Sequence, residues 1–276
     1  MISHNRQGPL GLYTFPHLAA VGAHHAIATR LGGSSRGCFA SLNLSYSLGD
    51  DPALVAANRR AFYSAIGVDA RSVVSCHQVH SAAVACVSEG MRGRGAIDPL
   101  SAIPSTDALI TDRPDLYLFL RFADCVPVLL CDPKSGVVGL VHAGWKGTVS
   151  NIVGATVQTM VRAFASSPQD IVAAIGPCIG PCHYTIQDDV AVSVRVALPF
   201  WPDVLRRQDN GALSLDLAEA NRRQLLAAGL NDAGIAMSGL CTACHTDEFY
   251  SHRAEQGRTG RFGVLIGWVG DGSGHG

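Results

Sequence analysis

The sequence predicts one α/β domain, with helices layered around a mixed β-sheet core. Short apolar runs of strand length alternate with stretches of helical period along the whole chain. No Pro/Ser-rich linker or change of composition divides them. Hydrophobic residues make up 47% of the chain and charged residues 16%, enough apolar material for a buried core and the reverse of a disordered composition.

The opening MISHNRQGPLGLYTFP is polar and broken by Gly and Pro. Residues 1–24 are therefore expected as an extension before a domain at 25–268, with 269–276 as a flexible tail. HAIATR at 25–30 reads as a strand entering the Gly-rich loop LGGSSRG. Asp51-Pro52 opens a helix, since an acidic cap and Pro at the first helical position suit a helix start. Leu54, Val55, Phe62 and Ile66 share its face, and Gly67 ends it.

Strands are expected at 73–75 and 82–87, with a Gly/Pro/Ser-rich loop over 88–105. Apolar runs at 107–111, 116–122, 126–131 and 137–142 are further strands. A helix is expected at 148–164, its buried stripe being Ile152, Val153, Val157, Met160 and Val161. A strand at 171–175, helices at 188–196 and 216–228, and strands at 235–238, 249–252 and 262–268 complete the reading.

Composition narrows the function classes. The 21 basic and 22 acidic residues balance, and no Lys/Arg run marks a nucleic-acid surface. The most apolar stretch, 116–130, is interrupted by Arg121 and Asp124 and is too short to span a bilayer. No signal-peptide core stands at the start, so a cytoplasmic protein with no membrane partner is expected. Its nine cysteines are expected to be thiols or metal ligands. No long amphipathic repeat points to a coiled-coil assembly, so a monomer is expected.

Three residues stand out as metal donors. His80 in CHQVH, Cys125 in ADCVPVLL and His142 in VGLVHAGWKGT each sit at the edge of an apolar strand, where side chains can converge on a cleft. Two imidazoles and a thiolate would leave zinc one open position, as catalytic zinc requires. The spacing alone leaves the plainer reading open, of a small buried thiol and ordinary hydrogen-bonded histidines. Asp124 is a carboxylate within an apolar run, costly to bury without a partner. It could orient a ligand imidazole or move a proton. His24, His25, Cys76 and His77 could also line the cleft.

TRLGGSSRGCFASLNLS, GDDPALVAANRR, HQVH, DALITD, ADCVPVLLCD, VHAGWKGT, IGPCIGPCHY and FYSHR followed by TGRFG stand in order along residues 25–267. With these motifs the chain resembles the family variously described as multicopper polyphenol oxidases, laccase-domain proteins or purine nucleoside phosphorylases. The resemblance implies one α/β domain and His80, Cys125 and His142 as ligands of a single catalytic zinc. It also implies phosphorolysis of adenosine, inosine or guanosine by phosphate, with methylthioadenosine cleavage and adenosine deamination as related activities. His252 stands in FYSHR where an aromatic is usual in such proteins, which bears on substrate preference.

Phosphorolysis would call on further residues. Arg30 and Arg253 are the expected phosphate clamps, because a guanidinium binds two oxygens at once. Lys146 could add a point charge, and Asn43 and Gln78 could meet polar substrate atoms. Each has a structural alternative: ion pairs for the arginines, a turn cap for Asn43, solvation for Lys146 and support of a metal ligand for Gln78.

Two other enzyme readings stand beside phosphorolysis: copper-dependent oxidation of phenols, and editing of peptidoglycan precursors by hydrolysis. A copper cluster normally uses His-x-His pairs, and none of the 11 histidines stand two apart. Adventitious copper binding remains compatible with such donors. A non-catalytic zinc would need four protein ligands, and this site offers three. Cys178, Cys182, Cys241 and Cys244 read as reduced thiols rather than a second zinc site, with His183 and His245 incidental.

Overall fold

The computed structural model describes residues 2–209 and 211–270. Two six-stranded mixed sheets lie face to face, with helices on both outer faces. The first sheet runs β1 (Ser3–Gln7), β2 (Leu10–Thr14), β3 (Ala23–Ala28), β15 (Phe262–Trp268), β7 (Tyr117–Phe122) and β4 (Val73–Ser75). The second runs β14 (Ile235–Met237), β10 (Val172–Ile175), β8 (Val126–Asp132), β9 (Val137–Ala143), β6 (Ala108–Thr111) and β5 (Val84–Cys86). Pairing is antiparallel except at β4–β7, β10–β14 and β5–β6.

The layering follows from strand alternation, since successive side chains point to opposite faces. In β7, Leu118, Leu120 and Phe122 enter the space between the sheets, whereas Tyr117 and Phe119 face outward. In β8, Leu129 and Cys131 face the first sheet, while Val126, Val128 and Leu130 face outward. Both faces are buried, which explains why these strands read as nearly continuous apolar runs.

Helix α2 (Pro52–Ala65) covers the outer face of the first sheet through Phe62 and Tyr63. Helices α4 (Ile152–Phe164), α5 (Asp188–Ala197) and α7 (Leu217–Ala227) cover the second. The short α1 (Pro16–Ala20) packs on β3, and α6 (Trp201–Val204) leads into a small antiparallel sheet of β11 (Thr185–Ile186), β13 (Leu213–Leu215) and β12 (Leu205–Arg207).

Four local expectations change. Residues 1–24 are not a separate extension: β1 and β2 add two strands to the first sheet, and Leu10, Leu12 and Phe15 are buried. The helix expected at 148–164 is two, α3 (Trp145–Val149) and α4, because Asn151 adopts left-handed φ 55° and caps α4 through its side chain. Val161 is exposed rather than part of the stripe. Phe249 and Tyr250 are buried but form no strand, since their stretch is held by turns such as Phe249 N–H to His245 O. Residues 271–276 of the expected tail lie outside the described residues.

Candidate metal centre and cleft

The ends of β8 and β9 create the site. These antiparallel neighbours pair Pro127 with His142, which brings Cys125, just before β8, beside the end of β9. His80 arrives from the loop after β4 with left-handed φ 62°. The donor atoms of His80, Cys125 and His142 all lie within 4.8 Å of one another. The His80 and His142 rings stand edge to face at 4.9 Å.

A buried carboxylate that the sequence reading passed over organises this triad. Asp107 immediately precedes β6 and has no exposed surface. It accepts hydrogen bonds from the backbone N–H groups of Val79, His80 and Ser81 and from Ser81 Oγ. It also accepts from His142 Nδ1 at 2.9 Å, while its backbone oxygen takes the His142 amide. Such bonds favour the charged form, so its carboxyl is held well below the usual range despite the cost of burial. With Nδ1 committed to Asp107, Nε2 of His142 is left as the donor toward Cys125.

Burial opposes ionisation of Cys125, but the neighbouring His142 and His80 outweigh it and lower the thiol toward thiolate. Thiolate is the form that ligates a metal. Gly144, which caps α3, passes so close that a Cβ there would sit 3.0 Å from Cys125 Sγ and from His80 Cδ2. In AGWKGT the backbone thus passes in close contact with two of the three donor side chains. Two histidines and a thiolate at these separations, with one imidazole locked by a carboxylate, fit a single ion of the zinc type.

The triad opens on a cleft of about 550 Å³, within the usual size of small-molecule sites. Asp124 lines it, with φ 80°, but does not orient an imidazole. Its carboxylate accepts from Thr242 Oγ1 at 2.7 Å and from the Arg253 amide at 2.6 Å. Asp107 takes the orienting role instead. Gln78 also lines the cleft, yet its side chain is engaged by Arg121: Oε1 accepts from the Arg121 guanidinium and amide, and Nε2 donates to Arg121 O. Lys146 is exposed at the cleft, near the Trp145 ring. Arg253 lines it above the Tyr184 ring and donates to Thr185 O.

Arg30 and Asn43 lie elsewhere. Arg30 lies over the Tyr250 ring, pairs with Glu255 at 3.0 Å and donates to Ala40 and Thr246 carbonyls. Asn43 is fully buried and bonds Ser45, Asp50 and the Arg261 amide. Neither lines the cleft, and protein partners take up the polar groups named above. His77 lines the cleft, whereas Cys76 is buried and His24 and His25 belong to β3.

Arg121 and Arg261 were missed. Burial lowers Arg121 to about 10, still a cation near neutrality. Arg261 follows the Gly260 of TGRFG, and burial lowers it too. Arg interrupting an apolar run, and Arg in a Gly-flanked turn, were the available signals. Together Arg121, Lys146, Arg253 and Arg261 place four cations around the cleft against one carboxylate, Asp124.

Residues 24–269 match the family described as multi-copper polyphenol oxidoreductase laccase. The chain belongs to that family. Among members of this laccase family, the chain is 44% identical over 247 residues to "Purine nucleoside phosphorylase YlmD" of Geobacillus stearothermophilus, covering 89% of this chain and 90% of that one. It is 35% identical over 219 residues to "Adenosine deaminase RL5" of an unknown prokaryotic organism, covering 79% and 83%. The solved structure of YlmD from Geobacillus stearothermophilus superposes with a TM-score of 0.91 at 41% identity, covering 96% and 98%. No helix among the described residues is long and apolar enough to cross a membrane.

Proposed function

We propose that this laccase-family protein is a zinc-dependent purine nucleoside phosphorylase, with His80, Cys125 and His142 holding the metal. The observation that carries the reading is a three-donor centre with an unfilled side facing a cleft rich in fixed positive charge. The relatives named as purine nucleoside phosphorylases support it. The cytoplasm is the proposed location, in keeping with nine free cysteines.

When bound, zinc supplies Lewis-acid polarisation of an oxygen ligand. The chain's own residues do the rest. Arg261, Arg253 and Lys146 hold phosphate by charge-assisted hydrogen bonds and keep it against the ribose. Arg121, fixed by Gln78 and Cys76 O, adds positive potential from beneath. Trp145 and Tyr184 offer aromatic faces to the purine. A phosphate oxygen forms the new bond to C1′ as the C1′–N9 bond breaks, and its electron pair leaves with the base, which takes up a proton.

Protein of known metal content, incubated with adenosine or inosine with and without phosphate, tests this reading. Free base and ribose 1-phosphate formed only with phosphate are expected. Inosine formed from adenosine without phosphate would favour the deaminase activity named for one relative. No turnover of either nucleoside with zinc present would overturn both.

A further inference from the structure

A second group of donors converges where two loops meet beside the cleft. One loop folds as a turn at Gly180-Pro181-Cys182-His183, with the His183 and Tyr184 amides donating to Gly180 O. The other is Cys241-Thr242-Ala243-Cys244, with the Cys244 and His245 amides donating to Cys241 O. Cys178 and Cys241 pair as an isolated bridge between the loops. The Gly180 amide donates to Cys241 Sγ at 3.2 Å. A Cβ at Gly180 would press on Cys182 Sγ and Cys241 Cβ at 3.3 Å each, so the turn closes tightly over the sulfurs.

The donor atoms of Cys182, His183, Cys241 and Cys244 all lie within 4.8 Å of one another. Zinc bonds of about 2.3 Å to sulfur and about 2.0–2.1 Å to nitrogen, at tetrahedral angles, put sulfurs about 3.8 Å apart and sulfur about 3.5 Å from nitrogen. Cys182 Sγ and Cys244 Sγ are 3.6 Å apart. His183 Nδ1 lies 3.2, 3.4 and 3.8 Å from the sulfurs of Cys182, Cys244 and Cys241. Four of the six edges thus match a tetrahedron sized for one ion, and the other two are within 4.8 Å.

We propose that Cys182, His183, Cys241 and Cys244 form a second, structural zinc site that clamps together the two loops holding Asp124 at the edge of the cleft. Four protein donors close the coordination shell and leave no position for substrate. Ile179 N–H donates to Asp124 O at 2.9 Å, and Thr242 Oγ1 donates to its carboxylate. Both loops thus grip the residue preceding Cys125, and Tyr184 carries the first loop into the cleft. Cys178, the fourth thiol of the sequence pattern, is buried and stands outside the donor group, and His183 takes its place.

Metal analysis of the full chain purified under reducing conditions tests the site. Two zinc ions per chain are expected, falling to one in Cys125→Ala and to one in Cys182→Ser/Cys244→Ser. Cobalt(II) added to metal-free Cys125→Ala gives an independent readout that does not rely on the double variant folding. Strong sulfur-to-cobalt charge-transfer absorption with tetrahedral bands is expected there. One zinc in the wild type that Cys125→Ala retains also supports the second site, while counting against the first. Loss of all zinc and absence of the cobalt spectrum in Cys125→Ala would overturn the proposal. So would an intact mass showing a Cys182–Cys244 disulfide that forms even with zinc in excess.

Discussion

Asp107 and His142 are joined twice, side chain to side chain at 2.9 Å and backbone to backbone at 2.8 Å. The same carboxylate gathers the amides of residues 79–81, so one buried charge sets both the His142 tautomer and the left-handed turn that presents His80. Asp107→Asn removes that charge and puts an amide donor against a ring of donors. Metal affinity is expected to fall by roughly 10- to 100-fold, the usual effect of losing such a supporting carboxylate. Competition with a chromophoric chelator measures it, and unchanged affinity would contradict the arrangement.

Gly144 is required by space rather than by its φ of −76°. The Cβ of Gly144→Ala meets Cys125 Sγ and His80 Cδ2 at 3.0 Å. Overpacking of this kind costs about 1–3 kcal/mol. Here it displaces two metal donors, so metal affinity and nucleoside cleavage should fall together by about tenfold or more. Thermal unfolding of the metal-free variant should fall by only about 2–10 °C, the shift such a cost gives in a domain of this size.

Arg30 and Arg261 should fail in different ways. Arg30→Ala leaves Glu255 without its cation and removes packing on Tyr250. A loss of about 2 kcal/mol in urea unfolding is expected, below the full buried-pair value because both partners keep some water contact. KM for phosphate should hold within about twofold. Arg261→Ala should raise that KM roughly tenfold, the worth of a charge-assisted hydrogen bond.

His25 makes stability sensitive to acid. Its Nε2 accepts the Phe15 amide at 2.7 Å while Nδ1 faces Ala23 O, so the ring is neutral in the fold. Burial pushes it down to about 4, only partly offset by that carbonyl. The unfolded chain titrates near the ordinary value of about 6.5 and so binds more protons between the two values. Stability therefore rises with pH through that window, and about 3 kcal/mol is lost as pH falls from about 6.5 to 4. Urea unfolding at several pH values checks this, with His25→Gln, which keeps an acceptor but does not titrate, expected to flatten the slope.

The buried strands were legible because both their faces are apolar, and β7, β8 and β9 fall within a residue or two of their expected limits. Helix α2 was legible from Asp51-Pro52, whose carboxylate does cap it through the Ala53 amide. The early strands were not, because β1 is an edge strand with mostly exposed, polar side chains. Asn151 hid a helix break that depends on its own backbone angle. Strand-edge placement marked His80, Cys125 and His142 as residues that could meet, and they do. Asp107 escaped notice because its partners lie in two segments, 79–81 and 142, far from it in sequence, and no spacing encodes that convergence. Arg30 and Asn43 show the converse: residue type suited a ligand, but neighbours within the protein engage their polar groups.

The most direct test compares wild type and Cys125→Ala for zinc content and phosphate-dependent inosine cleavage in one preparation. The account predicts that the variant lacks one zinc per chain relative to wild type and forms no measurable hypoxanthine or ribose 1-phosphate. Wild-type cleavage by the variant, or loss of cleavage with the full zinc content retained, would contradict a catalytic metal at His80, Cys125 and His142.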